Sequence, residues 1–109
     1  MSSVEQPLVT PEALRAFTQR LVALFSPERV ILFGSLARGT STWDSDADIL
    51  VVMPFQGRAF DKAIEIRTRC RADFPIDLMV RSPQEVEQRY QWGDPFIREA
   101  IDQGVLLHG

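Results

Sequence analysis

The segment Asp46-Ala-Asp-Ile-Leu-Val-Val-Met53 constrains the fold more than any other. Two carboxylates two residues apart open a β-branched and aliphatic run of strand length. Successive side chains of a strand alternate faces, so Asp46 and Asp48 are expected on one face and Ala47, Ile49 and Val51 on the other. Like charges side by side repel, and an apolar strand offers them little solvent. A divalent cation is the usual compensation. With oxygen donors and no His or Cys nearby, the set suits Mg²⁺ better than zinc.

The flanking sequence places this strand in a mixed architecture. Thr10-Pro11-Glu12 starts a helix, with a capping hydroxyl, Pro at the first position and an acid in the first turn. Leu14, Phe17, Leu21, Leu24 and Phe25 then form an apolar face at helical spacing. Val30–Phe33 reads as a strand ending at Gly34, and a polar connection follows that can hold a helical turn at Ser35–Arg38. Arg58–Ala72 forms a helix and Ile76–Val80 a third strand. Ser82-Pro83-Gln84-Glu85 is a capping box that opens a helix to about Trp92. Gly93-Asp94-Pro95 restarts a helix that stops at Gly104, and Val105–Leu107 is an edge strand or ordered tail. The expected class is α/β (α+β), a small mixed β-sheet covered by helices on at least one face.

Asp77, a lone acid inside the third strand, repeats the anomaly of the second. If the two strands are neighbours, its carboxylate joins the first pair. Three carboxylates can hold two Mg²⁺ ions about 3.5–4 Å apart, the arrangement for in-line displacement at phosphorus. Gly34 and Ser35 lie at the end of the preceding strand, where a glycine lets backbone N–H groups approach an anion and a serine adds a hydroxyl. Taken singly, each feature has a plainer reading: a polar turn, a salt-bridged acid, a loop. Their order at successive strand ends makes them a candidate site. A Walker-type phosphate loop is excluded, because Thr40 and Ser41 follow Gly39 where Lys and Ser/Thr are required.

The chain of 109 residues fits one domain, 1–109. A net charge of −3 argues against general nucleic-acid binding, and eleven Arg against the single Lys62 fit phosphate handling or a partner surface. The single cysteine, Cys70, has no internal disulfide partner. The first residues lack the pattern of a signal peptide, and the longest apolar run, Ile49–Phe55, is too short to span a bilayer. A cytoplasmic protein without membrane attachment is expected.

Gly34-Ser-Leu-Ala-Arg-Gly39 followed by Ser45-Asp-Ala-Asp-Ile49 resembles the signature of the DNA polymerase β-type nucleotidyltransferases, in the form of the minimal nucleotidyltransferases (MNT). The resemblance extends over nearly the whole chain. It implies that Asp46 and Asp48 hold both metals, that Asp77 ligates the catalytic metal and helps deprotonate an acceptor hydroxyl, and that Gly34 and Ser35 bind the β/γ-phosphates of an NTP. Arg38 matches the family's Arg, with phosphate contact and support of the loop both open. Stand-alone members are often antitoxins encoded beside a HEPN-domain ribonuclease toxin, and some transfer AMP from ATP to a tyrosine of that toxin. The resemblance therefore implies a hetero-oligomeric partnership. It leaves two alternatives: a binding module that neutralises its partner without catalysis, and a small-molecule nucleotidyltransferase completed by a partner chain.

Among other residues, Trp43 is a candidate base-stacking or lid residue, though a loop Trp more often packs on its own domain. Tyr90, Trp92 and Phe96 are expected in the core, with a protein interface as the alternative. Cys70 is expected to be buried, and His108 to be mobile near the chain end.

Overall fold

The computed structural model describes residues 8–42 and 44–109. The expectations for the N-terminal residues 1–7 and for Trp43 lie outside the described residues. In chain order the elements are α1 (Pro11–Phe25), β1 (Arg29–Phe33), α2 (Ser35–Arg38), β2 (Ala47–Val52), α3 (Ala59–Cys70), β3 (Ile76–Arg81), α4 (Pro83–Trp92), α5 (Pro95–Gln103) and β4 (Val105–His108).

Three helices start by the same local chemistry. Thr10 Oγ1 accepts from Ala13 N–H (3.1 Å), Ser82 Oγ from Glu85 N–H (3.1 Å), and Asp94 Oδ1 from Phe96 N–H (3.0 Å) and Ile97 N–H (3.3 Å). Each cap is followed by a proline, whose missing N–H has no intrahelical role there. The Glu85 carboxylate accepts from Arg89 Nε at 2.7 Å, on the helix surface.

The strands form one sheet in the order β3-β2-β1-β4. β1 runs antiparallel to both β2 and β4, while β2 and β3 are parallel, joined by the α3 crossover. Alternation along the strands feeds two cores. Val30, Leu32, Ala47, Ile49, Val51 and Val80 pack with Phe17, Leu21, Ile66 and Cys70 of α1 and α3. Ile31, Phe33, Leu50 and Val52 pack with Val86, Ile97 and Ala100 of α4 and α5. The expected coverage of at least one face thus becomes coverage of both. Cys70 is fully buried, as expected.

Several local expectations are corrected by tertiary context. His108 is no mobile tail residue: it sits in β4, opposite Val30 of β1, and is half-buried. Trp92 and Phe96 are not in the core, being 71% and 60% exposed, while Tyr90 is half-buried and donates its hydroxyl proton to Asp102 Oδ1 at 2.7 Å. Gly104 ends α5 in extended conformation (φ −74°, ψ 166°), not in the left-handed turn of a glycine stop. Space is what it supplies. A Cβ there would meet the Ala100 carbonyl oxygen at 2.3 Å and Ile31 Cγ2 at 2.5 Å. Gly104→Ala should therefore cost about 2–3 kcal/mol through overpacking at the α5–β4 junction. A lower urea midpoint at unchanged m-value is the expected result.

Candidate active site

The sheet topology brings three strand ends to one edge. β1 ends where its antiparallel neighbour β2 begins, and β3 begins there too because it is parallel to β2. In register, Phe33 of β1 lies opposite Asp48 of β2, and Asp48 lies opposite Asp77 of β3. Registered neighbours in a sheet project to the same face, so the Asp48 and Asp77 carboxylates are adjacent. Asp46 precedes the strand instead of opening it. Pairing beyond Ala47 would need Pro75 to donate, and proline has no N–H. Asp46 and Asp77 are exposed and Asp48 is half-buried.

Gly34 follows directly on the residue paired with Asp48. Its φ is +80°, and a Cβ built on it would lie 2.2 Å from Asp48 Oδ2, so the glycine backbone lies against that carboxylate. Ser35, half-buried, starts the four-residue α2. The turn is closed internally by Arg38 N–H to the Gly34 carbonyl (3.0 Å) and Thr40 N–H to the Ser35 carbonyl (3.0 Å). Farther on, Thr42 bonds Asp44 Oδ1 (2.6 Å) and Ser45 Oγ (2.9 Å), folding the connection back toward Asp46.

The local electrostatics are those of crowded negative charge. The Asp48 carboxyl is pushed above the usual carboxylate range by burial first, then by repulsion from Asp77, Asp46 and Glu99, with Arg38 opposing. Hard oxygen donors in an uncompensated acidic cluster fit a divalent cation such as Mg²⁺. The acids share an edge without forming a closed cage: among the described residues, no three carboxylate, imidazole or thiol side chains are gathered closely enough to clasp an ion.

Glu99 was not anticipated from the sequence. It sits on α5, and its Oε2 accepts from Gly34 N–H at 3.0 Å and from Arg38 Nη1, tying α5 to the glycine turn across 65 residues of sequence. Within Pro95–Gln103 it reads as one more polar-face acid, and the only hint of its role is that Arg38 requires a partner. The Arg38 guanidinium is therefore held by protein, which favours loop support among its two open roles.

A cavity of about 890 Å³ lies elsewhere, between α1 and β4. Leu14, Val22, Leu32, Leu36 and Leu106 make its walls largely apolar. A triphosphate needs charged groups and backbone donors, and those stand at the open edge of the sheet.

A mixed four-stranded sheet with helices on both faces, a Gly-Ser turn and acids on adjoining strand ends defines a nucleotidyl-transferring class of domain. Residues 14–105 match the sequence profile described as "Nucleotidyltransferase domain", and the chain belongs to that family. It is 30% identical over 101 residues to a candidate protein adenylyltransferase of Methanocaldococcus jannaschii, covering 89% of this chain and 96% of that protein. The fold is shared with a candidate nucleotidyltransferase from Sulfolobus solfataricus, at a TM-score of 0.62 and 23% identity over 87% of this chain and 76% of the other. It is also shared with a chain of a toxin-antitoxin structure with AMP-PNP, at a TM-score of 0.50 and 21% identity over 87% and 73% of the two chains. Among the described residues no helix is long and apolar enough to cross a membrane.

Proposed function

We propose that this chain, as one domain over residues 1–109, transfers a nucleoside monophosphate, AMP from ATP, to a hydroxyl of a protein partner. The observation that carries the reading is the direct pairing of Asp48 with Asp77 beside the Gly34 backbone. The relative described as a candidate protein adenylyltransferase supports a protein acceptor, and the AMP-PNP in a structural neighbour supports ATP as donor.

In this reading Asp46, Asp48 and Asp77 would hold the Mg²⁺ ions, two by the family resemblance. Mg²⁺ bound there would neutralise triphosphate charge and acidify the acceptor hydroxyl. Gly34 N–H and the Ser35 hydroxyl hold the β/γ-phosphates and so orient the α-phosphorus toward the acceptor. The acceptor oxygen forms a bond to the α-phosphorus, the bond from that phosphorus to the bridging oxygen breaks, and pyrophosphate leaves. Asp77 takes the acceptor's proton.

The toxin-antitoxin neighbour supports a toxin as partner, and the family resemblance implies a HEPN-domain protein in that place. A second reading, neutralisation by complex formation alone, is favoured by the exposed Trp92 and Phe96, the aromatic types enriched at protein interfaces. Incubation with α-labelled ATP, Mg²⁺ and lysate from the native cell separates the two. Label on a protein, lost with Asp46→Asn/Asp48→Asn, is the expected result. Equal labelling by the double variant would sink the metal-site mechanism. Absence of label together with co-purification of an unmodified partner would support the second reading.

A further inference from the structure

Resting on the nucleotidyltransferase reading above, we propose that Glu99 is a built-in competitor for the phosphate cradle, and that its carboxylate sets how tightly the site takes a nucleoside triphosphate. One oxygen, Glu99 Oε2, accepts from both the Gly34 N–H at 3.0 Å and the Arg38 guanidinium. A backbone N–H carries a single hydrogen and serves one acceptor in good geometry. A phosphate oxygen on Gly34 N–H and the Glu99 contact therefore exclude each other. The carboxylate stands where an anion would, held by the donors an anion would use.

Placement argues against a simple brace. Glu99 lies close enough to Asp48 to disfavour its ionised form, so the contact brings a further negative charge to an edge that already carries three. A brace for the glycine turn would be cheaper with a neutral acceptor. The side chain is also able to leave: it is 29% exposed, and its Arg38 partner 45%. Ile97 and Ala100, on either side, are buried against the sheet, so α5 stays in place while the Glu99 side chain swings out. Displacement by the triphosphate would free Arg38 to face phosphate, joining the two roles left open for it.

The test is titration calorimetry of the full chain with AMP-PNP and Mg²⁺. Glu99→Gln keeps the size and an acceptor oxygen but removes the charge, and a thermal melt near that of the wild type checks its fold. Glu99→Gln should bind the probe about three- to tenfold more tightly, the effect of removing a partly exposed charged competitor. That gain should persist in an Arg38→Gln background, because the Gly34 N–H contact does not pass through Arg38, whereas a gain from loosening the Glu99–Arg38 bridge would vanish there. Equal or weaker binding by Glu99→Gln, with wild-type binding still lost in Asp46→Asn/Asp48→Asn, would overturn the competitor while leaving the nucleotide site standing. Failure of both wild type and Glu99→Gln to bind the probe would overturn both readings. Tighter binding without transfer of label in the lysate assay would uphold the competitor and overturn the transferase.

Discussion

Asp48→Asn should lower nucleotidyl transfer by about 10³-fold or more while leaving the protein as stable as the wild type, or more so. The two effects have one cause. Asp48 is the central acid, in register with Asp77 on one side and against the Gly34 backbone on the other. Asparagine replaces an anionic ligand with a neutral amide of nearly the same shape. The proposed metal site loses its middle charge, while the fold loses a repulsion. The sign follows from linkage: burial and neighbouring acids raise the folded pKa of Asp48 above its ordinary 3.8, so the fold binds that proton more tightly than the unfolded chain. Its contribution to stability is present below the unfolded value and is lost as pH rises through the folded one. In EDTA, the stability of wild type relative to Asp48→Asn should therefore fall as pH rises from about 4. Melting curves across that range, beside the labelling assay, check both halves. A variant that is both inactive and strongly destabilised would mean that Asp48 serves the fold first.

Gly34→Ala should be the most damaging single-methyl change at the site, costing about 2–4 kcal/mol and lowering Tm by roughly 10–20 °C. Two costs combine. The backbone at φ +80° disfavours any side chain, and the added Cβ would meet Asp48 Oδ2 at 2.2 Å. Relief requires moving the Asp48 carboxylate or the turn, and either displaces the groups proposed to hold metal and phosphate. Nucleotide binding should be lost with the stability. Gly39→Ala is the milder control: its backbone (ψ 17°) is left-handed helical, whereas Gly34 (ψ −156°) lies in a region that essentially only glycine adopts. Its φ is +76° but nothing lies within 4 Å of a Cβ there, so only the conformational cost of about 1–2 kcal/mol remains. Equal destabilisation by the two variants would show that the close approach to Asp48 is unimportant.

Much of this arrangement was legible along the chain because its causes are local. Helix starts at Thr10, Ser82 and Asp94 depend on a capping oxygen and a following proline, all within a few residues. The strands announce themselves by β-branched runs, and the order of elements follows directly. The Gly34-Ser35 turn and the acids at 46 and 48 were readable for the same reason, since spacing within one segment limits what its side chains can do. Boundary effects were not: Asp46 falls outside β2 because Pro75, just before β3, cannot extend the ladder.

Local spacing was enough to place the elements, their order, the family and the residues that are chemically out of place in an apolar strand. That Asp77 stands beside Asp48 comes from the folded sheet, since strand order and register depend on how α3 crosses it. The same holds for Glu99, whose meeting with Gly34 and Arg38 spans 65 residues and leaves no trace in the periodicity of α5. Gly104 looked like a helix stop and is a packing position, because a side chain there would meet Ile31 and Leu32 of β1 as well as the Ala100 carbonyl of its own helix. Contacts between segments depend on where the chain returns, and local spacing carries no record of that. The acids that first limited the fold are thus one half of the site, and α5 supplies a carboxylate that none of their spacing implied.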